Sequence, residues 1–304
     1  MTHDETTARI DRLRRERNAV VLAHNYQPME IQSAADFTGD SLGLSREAAG
    51  TEAELIVFCG VRFMAETAKI LSPAKSVVVP SPVGMCPMAA MVDPEGVERM
   101  RGEHPGAEVV CYVNTTAEVK AVSDACCTSA NAVQVVEGMS ADEIIFVPDR
   151  NLASWVARHT PKRIIPWDGY CHVHMEITEA DVREARASFP HAVVMVHPEC
   201  EPEVADLADE VLSTSGMRRL AAESDAKTFI VGTEATFLER LAADNPGKEF
   251  LFPGASSYCP NMKMCTLLGI VESLEGGGVE IQIPEPTLSK ARSAIDRMMA
   301  ATGG

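Results

Sequence analysis

Three cysteines recur in one local pattern along the chain. Cys86, Cys171 and Cys259 each follow a short apolar run that predicts a buried strand, with a few small or polar residues in between. Successive members lie 85 and 88 residues apart, so the pattern has the fixed period of an internal repeat. A single buried cysteine is usually a small apolar packing residue. Three cysteines at equivalent places instead indicate one shared site.

The spacing of these cysteines restricts the kind of site. They lack the Cys-x-x-Cys spacing of a zinc ribbon or of a ferredoxin-type cluster, and a closed structural zinc site takes four protein ligands. Three thiolates match a [4Fe–4S] cluster whose fourth iron has no protein ligand and can act as a Lewis acid on substrate oxygen. The other cysteines stand in or near apolar segments, and we expect them to be buried packing residues: Cys59, Cys111, Cys126, Cys127, Cys200 and Cys265.

Hydroxyl side chains recur at a second equivalent position. Ser41, Ser129 and Thr214 each follow a predicted short strand, and each is predicted to open a helix. A hydroxyl beside the free N–H groups of a helix start forms an anion site. Plain helix capping is the competing interpretation of any one of them. Their recurrence at three equivalent positions favours anion binding.

Acid–base side chains follow the first strand of two repeats. His24 and His197 end buried strands, and Tyr26 and Glu199 stand two residues beyond them. These side chains can move protons during a reaction. We expect Glu199 to be protonated, because partial desolvation and neighbouring negative charge both favour the neutral carboxyl group.

The elements that position these residues form a β-α-β-α-β-α-β series that occurs three times. Strands separated by helices indicate parallel sheets covered on both faces. We therefore expect an α/β protein of three three-layer αβα domains around a pseudo-threefold axis. A single continuous doubly wound sheet is the alternative. The predicted ranges are 18–105 with an N-terminal helix at 5–17, 106–190, 191–284, and a C-terminal helix at 285–304.

Length and charge narrow the functional classes. A chain of 304 residues can bury a core without disulfide staples. Nine cysteines and the lack of an apolar leader predict a reducing cytoplasm. The formal charge of −17 argues against nucleic acid and anionic membranes as partners, and no run has the length of a membrane span. An anionic substrate would need a local positive field, which helix N-termini can supply.

Many short segments carry these residues together: AHNYQ, GDSLGLS, FCGVRFMAETAKIL, VGMCPMA, CYVNTTAEVK, CTSANA, WDGYCHVH, VHPEC, GTE and YCPNMKM. In them the chain resembles the quinolinate synthase family, from about residue 18 to the C-terminus. The resemblance implies three pseudo-symmetric α/β domains around a central [4Fe–4S] cluster. It also implies condensation of iminosuccinate with dihydroxyacetone phosphate to quinolinate, phosphate and water, in NAD biosynthesis.

Position by position, the resemblance assigns roles to particular side chains. Cys86, Cys171 and Cys259 would hold the cluster, and Tyr26, Glu199 and His197 would be catalytic. The substrate pocket would be lined by His24, Ser41, Tyr112, Asn114, Ser129, His197, Glu199 and Thr214. Whether the imine arrives by transfer from an L-aspartate oxidase stays open.

Two other functional classes share some of these features. Diphthamide-type radical enzymes also have three domains with one cysteine each, but they need a pocket for S-adenosylmethionine and a protein partner. A non-catalytic iron–sulfur or zinc sensor would have no use for a small dicarboxylate pocket. Iron and sulfide analysis separates zinc from a cluster, and turnover without S-adenosylmethionine separates the two enzymes.

Overall fold

Three parallel sheets form the framework of the structure, a computed structural model that describes residues 2–301. Each sheet draws its four parallel strands from one repeat. The strands are β1 (Ala19–His24), β2 (Phe37–Gly39), β3 (Leu55–Cys59), β4 (Ser76–Val79), β5 (Glu108–Tyr112), β6 (Ala125–Cys127), β7 (Glu143–Val147), β8 (Arg163–Pro166), β9 (Val193–Val196), β10 (Glu210–Val211), β11 (Thr228–Gly232), β12 (Glu249–Leu251) and β13 (Val279–Glu280). The orders β2-β1-β3-β4, β6-β5-β7-β8 and β10-β9-β11-β12 are the same order three times.

Helices connect the strands and cover the sheets. They are α1 (His3–Glu16), α2 (Met29–Ala34), α3 (Ser41–Gly50), α4 (Arg62–Leu71), α5 (Pro94–Glu103), α6 (Ala117–Ala121), α7 (Ala132–Glu137), α8 (Arg150–Ala157), α9 (His172–Met175), α10 (Glu179–Ser188), α11 (Pro202–Ala205), α12 (Thr214–Glu223), α13 (Phe237–Asp244), α14 (Leu267–Leu274) and α15 (Glu285–Ala301). Short 3₁₀ turns cover Met88–Met91 and Pro260–Lys263. Among residues 2–301, no helix is both long enough and apolar enough to cross a bilayer.

The apolar strands explain the layering. All five residues of β3 are buried, and β5 and β7 are buried beyond their first residue, as expected for strands with helices on both faces. Two hydrophobic clusters pack against the first sheet and two against the third, whereas one larger cluster surrounds the second sheet. The expectation of three αβα layers is confirmed, and the alternative of one continuous sheet is wrong.

Local signals in the sequence fix several helix starts. Asp93 caps α5, with Pro94 at its first position, and Thr178 with Asp181 forms a capping box on α10. The N-terminal helix was predicted from residue 5, but it begins at His3, because Thr2 and Glu5 form another capping box. These helices begin where a side-chain oxygen satisfies their free N–H groups.

The segment after Cys259 departs from the prediction. The apolar pattern predicts a helix from Met262, but α14 begins at Leu267, after Thr266 has capped the N–H of Gly269. Although this segment was predicted with the third repeat, α14 packs against α1, and β13 pairs antiparallel with β4. The apolar face of α14 thus covers the first sheet, and β13 satisfies hydrogen-bonding groups that an edge strand leaves free.

The final helix joins the second sheet. The predicted C-terminal helix begins at Glu285 and is described to Ala301, so the last three residues of the predicted range lie outside the described residues. Its buried side chains pack into the core around β5 and β6; they are Ala291, Ala294, Ile295 and Met298. The chain therefore returns to the first two sheets after completing the third.

Candidate functional site

The carboxyl ends of the three sheets meet at one cavity, which encloses about 740 Å³ between its lining atoms, its open mouth included. The first strands end at or just before His24, Tyr112 and His197, and the fourth strands precede the three recurring cysteines. Every site residue expected from the sequence lines this cavity: His24, Tyr26, Ser41, Cys86, Tyr112, Asn114, Ser129, Cys171, His197, Glu199, Thr214 and Cys259. Parallel strands of open α/β sheets present their ligand sites at this end.

The three cavity cysteines have the same local structure. Each stands one or two residues before a short helical turn, at Met88–Met91, α9 and Pro260–Lys263. Each sulfur accepts backbone N–H groups from that turn; the donors are Met88 and Ala89 for Cys86, His174 for Cys171, and Asn261 and Met262 for Cys259. The other six cysteines are buried, which confirms their expected packing role. The cavity cysteines alone are partly exposed.

The thiols fit a site for a metal cluster. Burial raises the pKa of Cys86 to about 12, and it also raises the pKa values of Cys171 and Cys259, while the N–H groups act in the opposite direction. The charge of Cys259 raises the pKa of Cys86, and the charge of Cys86 raises the pKa of Cys171, so the Cys86 sulfur is within electrostatic reach of the other two. Buried thiolates need a cation, and N–H···S hydrogen bonds are a known protein contribution to iron–sulfur sites.

A second set of ligand atoms surrounds Cys171. Cys171, His174 and Glu199 bring one ligand atom each to within 4.8 Å of one another. His174 has no assigned role from the sequence, although its position three residues after Cys171, in the first turn of α9, was a signal that could have identified it. This set adds nitrogen and carboxylate donors beside the thiols.

Two histidines have the same geometry in two repeats. The Tyr26 N–H donates to His24 Nδ1 at 3.1 Å, and the Glu199 N–H donates to His197 Nδ1 at 3.3 Å. Burial, with the nearby charge of Lys263, lowers the pKa of His24 to about 3. Burial also lowers the pKa of His197 to about 3, against an opposing effect of Glu199. Both rings are therefore neutral, with the proton on Nε2, and His197 Nε2 lies 3.1 Å from Ser129 Oγ.

Glu199 is the buried carboxylate of the site. Burial alone would raise its pKa, but His174, His197 and the Tyr112 hydroxyl together hold the pKa well below its usual range. Tyr112 donates to Oε1 at 2.7 Å, and His174 Nδ1 lies 2.9 Å from Oε2. The expectation of a protonated Glu199 is wrong, because it left out the imidazoles that the fold brings to this carboxylate.

Tyr26 and Asn114 complete the polar wall. Burial, reinforced by Glu199, raises the pKa of Tyr26 well above its usual range, so the phenol stays neutral. Its hydroxyl lies 2.6 Å from Thr233 Oγ1. The Asn114 amide N–H points to Glu199 at 3.4 Å, while its buried oxygen has no donor among the described residues. An N–H or O–H group of a bound molecule can satisfy that oxygen.

The hydroxyl positions differ from simple helix caps. Ser41 and Thr214 open α3 and α12 as predicted, but Asp40 and Ser213 cap those helices. The capping interpretation is therefore wrong for Ser41 and Thr214. The prediction that Ser129 opens a helix is wrong as well: α7 begins at Ala132, because the Asn131 side chain folds back onto Thr128 in an intervening turn.

Buried carboxylates also hold the cysteine loops, and they were not identified from the sequence. Glu234, which is fully buried, accepts the Cys259 N–H at 3.2 Å and pairs with Lys263 at 2.8 Å. Lys263 also donates to the Tyr26 carbonyl. Asp149, which follows β7 as Glu234 follows β11, accepts the Cys171 N–H. These carboxylates fix the loops that present the second and third cavity cysteines.

Comparisons with known proteins agree on one family. The family model described as "Quinolinate synthetase A protein" (NadA) matches residues 8–300. The chain is 52% identical over 289 residues to a quinolinate synthase of Methanoregula boonei, covering 95% of this chain and 96% of the relative. It is 52% identical over 294 residues to that of Dehalococcoides mccartyi, covering 97% of each. It is 51% identical over 300 residues to that of Geobacter metallireducens, covering 99% of each.

Proposed function

The chain belongs to the quinolinate synthase family, and we propose that it condenses iminosuccinate with dihydroxyacetone phosphate to form quinolinate, phosphate and water. The observation that supports this most is the convergence of three cysteines, two neutral histidines and one ionised glutamate at a single cavity. Membership of this family argues against the two other functional classes considered from the sequence, a non-catalytic sensor and a diphthamide-type radical enzyme.

Cys86, Cys171 and Cys259 would hold a [4Fe–4S] cluster. The donor set supports this assignment, since three partly exposed sulfurs share the cavity and each accepts backbone N–H groups. When bound, the cluster would supply a Lewis acid at the iron that has no protein ligand. The backbone N–H groups would stabilise the thiolates, and Glu234 with Lys263 would hold the loop of Cys259 in place.

Neutral donors would bind the dicarboxylate substrate. Ser41 and Thr214 lie at the N-termini of ten-residue helices, where the helix dipole favours an anion. His24 and His197 present Nε2–H groups without carrying charge, and Ser129 lies against the second of them. The site could thus bind a dianion although the whole protein carries a formal charge of −17.

Glu199 and Tyr26 would transfer protons during the reaction. An ionised Glu199 can accept a proton from carbon or nitrogen of the substrate, whereas Tyr26 keeps its proton until a basic oxygen approaches. Both side chains line a cavity with apolar walls that include Phe63, Met64 and Met262. Excluding water from it would protect an imine from hydrolysis.

The supply of substrate and the compartment follow from the same chemistry. An imine is short-lived in water, so it must be formed shortly before it is used. An enzyme that oxidises L-aspartate, as an L-aspartate oxidase does, would supply it. We place the reaction in the cytoplasm, since none of the nine cysteines forms a disulfide and cysteines without disulfides persist in reducing compartments.

An anaerobic assay of the purified protein tests the function. The protein is mixed with iminosuccinate and dihydroxyacetone phosphate without S-adenosylmethionine, and quinolinate and phosphate are measured by chromatography. We expect both products in equal amounts, and none when either substrate is omitted. Absence of quinolinate from a preparation that contains its full iron and sulfide would overturn the proposal.

A further inference from the structure

A buried amide at the end of the first strand contacts a hydroxyl of the cavity wall. Asn25 follows β1 directly, between the cavity residues His24 and Tyr26, and it is 0% exposed. Its side chain does not line the cavity but reaches the third repeat, where its Nδ2 donates to Thr214 Oγ1 at 3.0 Å. The proposed function gives Asn25 no role. An effect of its side chain on a ligand would therefore pass through Thr214.

Hydrogen bonds hold the backbone of Asn25 on both sides. Its N–H donates to the Gly39 carbonyl at 2.9 Å, and its carbonyl accepts the Gln32 side chain at 3.0 Å. Gln32 also donates to the Gln27 carbonyl at 2.8 Å, which connects the loop after β1 to α2. The amide group is thus presented to Thr214 by a segment that is fixed at both ends.

The framework of the repeats does not require an amide at this position. Val113 is the equivalent residue of the second repeat, since its N–H donates to the Cys127 carbonyl at 2.9 Å as that of Asn25 does to Gly39. Pro198 stands at the equivalent place in the third repeat. The same strand end forms without an amide in both, so the Asn25 side chain is not needed to build it.

The orientation of the amide determines where the Thr214 proton goes. Thr214 Oγ1 accepts from Asn25 Nδ2, and its own proton has no acceptor among residues 2–301. The reversed amide would take that proton on Oδ1 and would leave a buried NH₂ group without an acceptor. Proteins tolerate this less well than a carbonyl oxygen without a donor, which is the state of Asn25 Oδ1. The Thr214 hydroxyl therefore donates to the cavity that it lines.

A second hydroxyl of the cavity is held in the same way. His197 Nε2, which carries the ring proton, lies 3.1 Å from Ser129 Oγ. That N–H group comes from the third repeat and the hydroxyl from the second, whereas Asn25 comes from the first repeat and Thr214 from the third. In both pairs a neutral N–H group of one repeat leaves the hydroxyl of another with its proton free for a ligand. A hydroxyl that donates favours an ionised acceptor such as a carboxylate.

We propose that Asn25 is a positioning residue for substrate binding, whose amide holds Thr214 as a hydrogen-bond donor toward a carboxylate of the substrate. The proposal rests on the proposed function, and it adds a residue and a reason for the selection of carboxylate. A hydroxyl held as a donor disfavours a ligand that offers only N–H groups at that place. Without the amide, the Thr214 hydroxyl would be free to rotate, and part of its contribution to binding would be lost.

A binding experiment with the holoenzyme tests this role. The probe is succinate, a stable four-carbon dicarboxylate, and its dissociation constant is measured by anaerobic titration calorimetry. Asn25→Val introduces the side chain that the second repeat has at this position. We expect it to weaken succinate binding about 3- to 10-fold, the scale of one neutral hydrogen bond, with unchanged iron content. Asn245→Ala, which removes a buried amide at the end of α13 and outside the cavity lining, is the control and should bind like the parent.

A double variant shows whether Asn25 acts through Thr214. Thr214→Val removes the hydroxyl at similar volume and should itself weaken succinate binding about 10- to 100-fold. In that background, Asn25→Val should change the dissociation constant by less than about twofold, because the partner of the amide is already absent. Multiplying losses would overturn the proposal, and so would parent-like binding in Asn25→Val alone. Asn25→Ala repeats the measurement with a smaller side chain, and the proposal requires a similar loss in it.

Steady-state kinetics separate positioning from a structural role. In Asn25→Val we expect the KM for iminosuccinate to rise in proportion to the dissociation constant of succinate, while kcat stays within about threefold of the parent. A fall in kcat and Tm at parent-like KM would show a structural role and would overturn the proposal. A parent protein that makes no quinolinate, yet binds succinate with the expected loss in Asn25→Val, would refute the proposed function alone.

Discussion

At the residue scale, a histidine follows or ends the first strand in two of the repeats, and the residue two positions later is a tyrosine in one repeat and a glutamate in the other. His24 and His197 both accept the backbone N–H two residues on, from Tyr26 and Glu199. The sequence was sufficient to predict that these side chains face one centre, since each follows the first strand of its repeat. The charge of Glu199 could not be predicted in the same way, because it depends on His174 and Tyr112, which come from other parts of the chain.

Replacing Glu199 by glutamine tests its role as a base. The glutamine side chain would keep the shape and most hydrogen bonds but could not accept a proton. We expect Glu199→Gln to retain its iron and its affinity for quinolinate, while kcat falls by about 100-fold or more, the usual range of general acid–base catalysis. Steady-state kinetics beside an iron assay measure both effects. Turnover near that of the parent would leave Glu199 with a positioning role only.

The neutral histidines predict how binding depends on pH. A histidine with the ordinary pKa of about 6.5 would gain a proton between pH 7.5 and 5.5 and would tighten binding of a dianion by up to about tenfold. The pKa values of His24 and His197 lie near 3, so these rings stay neutral over that range. We expect the dissociation constant of quinolinate, measured by titration calorimetry, to change less than about threefold. Tenfold tighter binding at pH 5.5 would show that one of these rings becomes charged.

At the element scale, the two helices that begin at the cavity are each capped by one residue, and the next residue lines the cavity. Strand and helix order indicated that Ser41 and Thr214 would stand at helix starts, and they do. Which residue caps each helix depends on local backbone angles and could not be predicted from residue type, since Asp40, Ser41, Ser213 and Thr214 are all good capping residues. With the caps provided by Asp40 and Ser213, the next hydroxyl in each case is free of capping. Thr214 Oγ1 accepts a hydrogen bond from the Asn25 side chain at 3.0 Å and keeps its own proton for donation to a ligand.

This division of roles can be tested with a matched pair of serine variants. Ser41→Ala removes a hydroxyl of the cavity wall, and we expect it to weaken dicarboxylate binding by roughly 10- to 100-fold, equivalent to about 1.5–3 kcal/mol, at unchanged Tm. Ser213→Ala removes a helix cap and should cost about 1 kcal/mol of stability with little effect on binding. Calorimetry and thermal denaturation measure the two quantities. Loss of stability in Ser41→Ala without weaker binding would contradict the assignment.

At the scale of the whole molecule, three copies of one strand order place three cysteines at a common centre. The period of the sequence predicted this arrangement, because each repeat carries its own hydrophobic pattern and its own cysteine. The return of α14 and β13 to the first sheet, and of α15 to the second, could not be predicted. Pairing at a sheet edge and packing of an amphipathic helix depend on surfaces that are distant in sequence.

The packing of α15 has a consequence for stability. Ile295 is 0% exposed in the core of the second sheet, more than one hundred residues beyond the strands that it contacts. We expect Ile295→Ala to cost about 2–5 kcal/mol and to lower Tm by roughly 5–10 °C. Lys290→Ala, on the exposed side of the same helix, is the control and should leave Tm within about 1 °C. Equal Tm values for the two variants in a thermal melt would show that α15 does not stabilise the second sheet.

The central claim is that one cysteine from each repeat holds a shared [4Fe–4S] cluster, and metal analysis tests it most directly. Iron and acid-labile sulfide are measured in anaerobically purified parent protein and in cysteine-to-serine variants. We predict about four irons and four sulfides per chain in the parent and in Cys127→Ser, whose thiol is buried in β6 away from the cavity. We predict loss of most iron and sulfide in Cys86→Ser, Cys171→Ser and Cys259→Ser. Full iron and sulfide in Cys171→Ser, or a single zinc ion in the parent, would contradict the account.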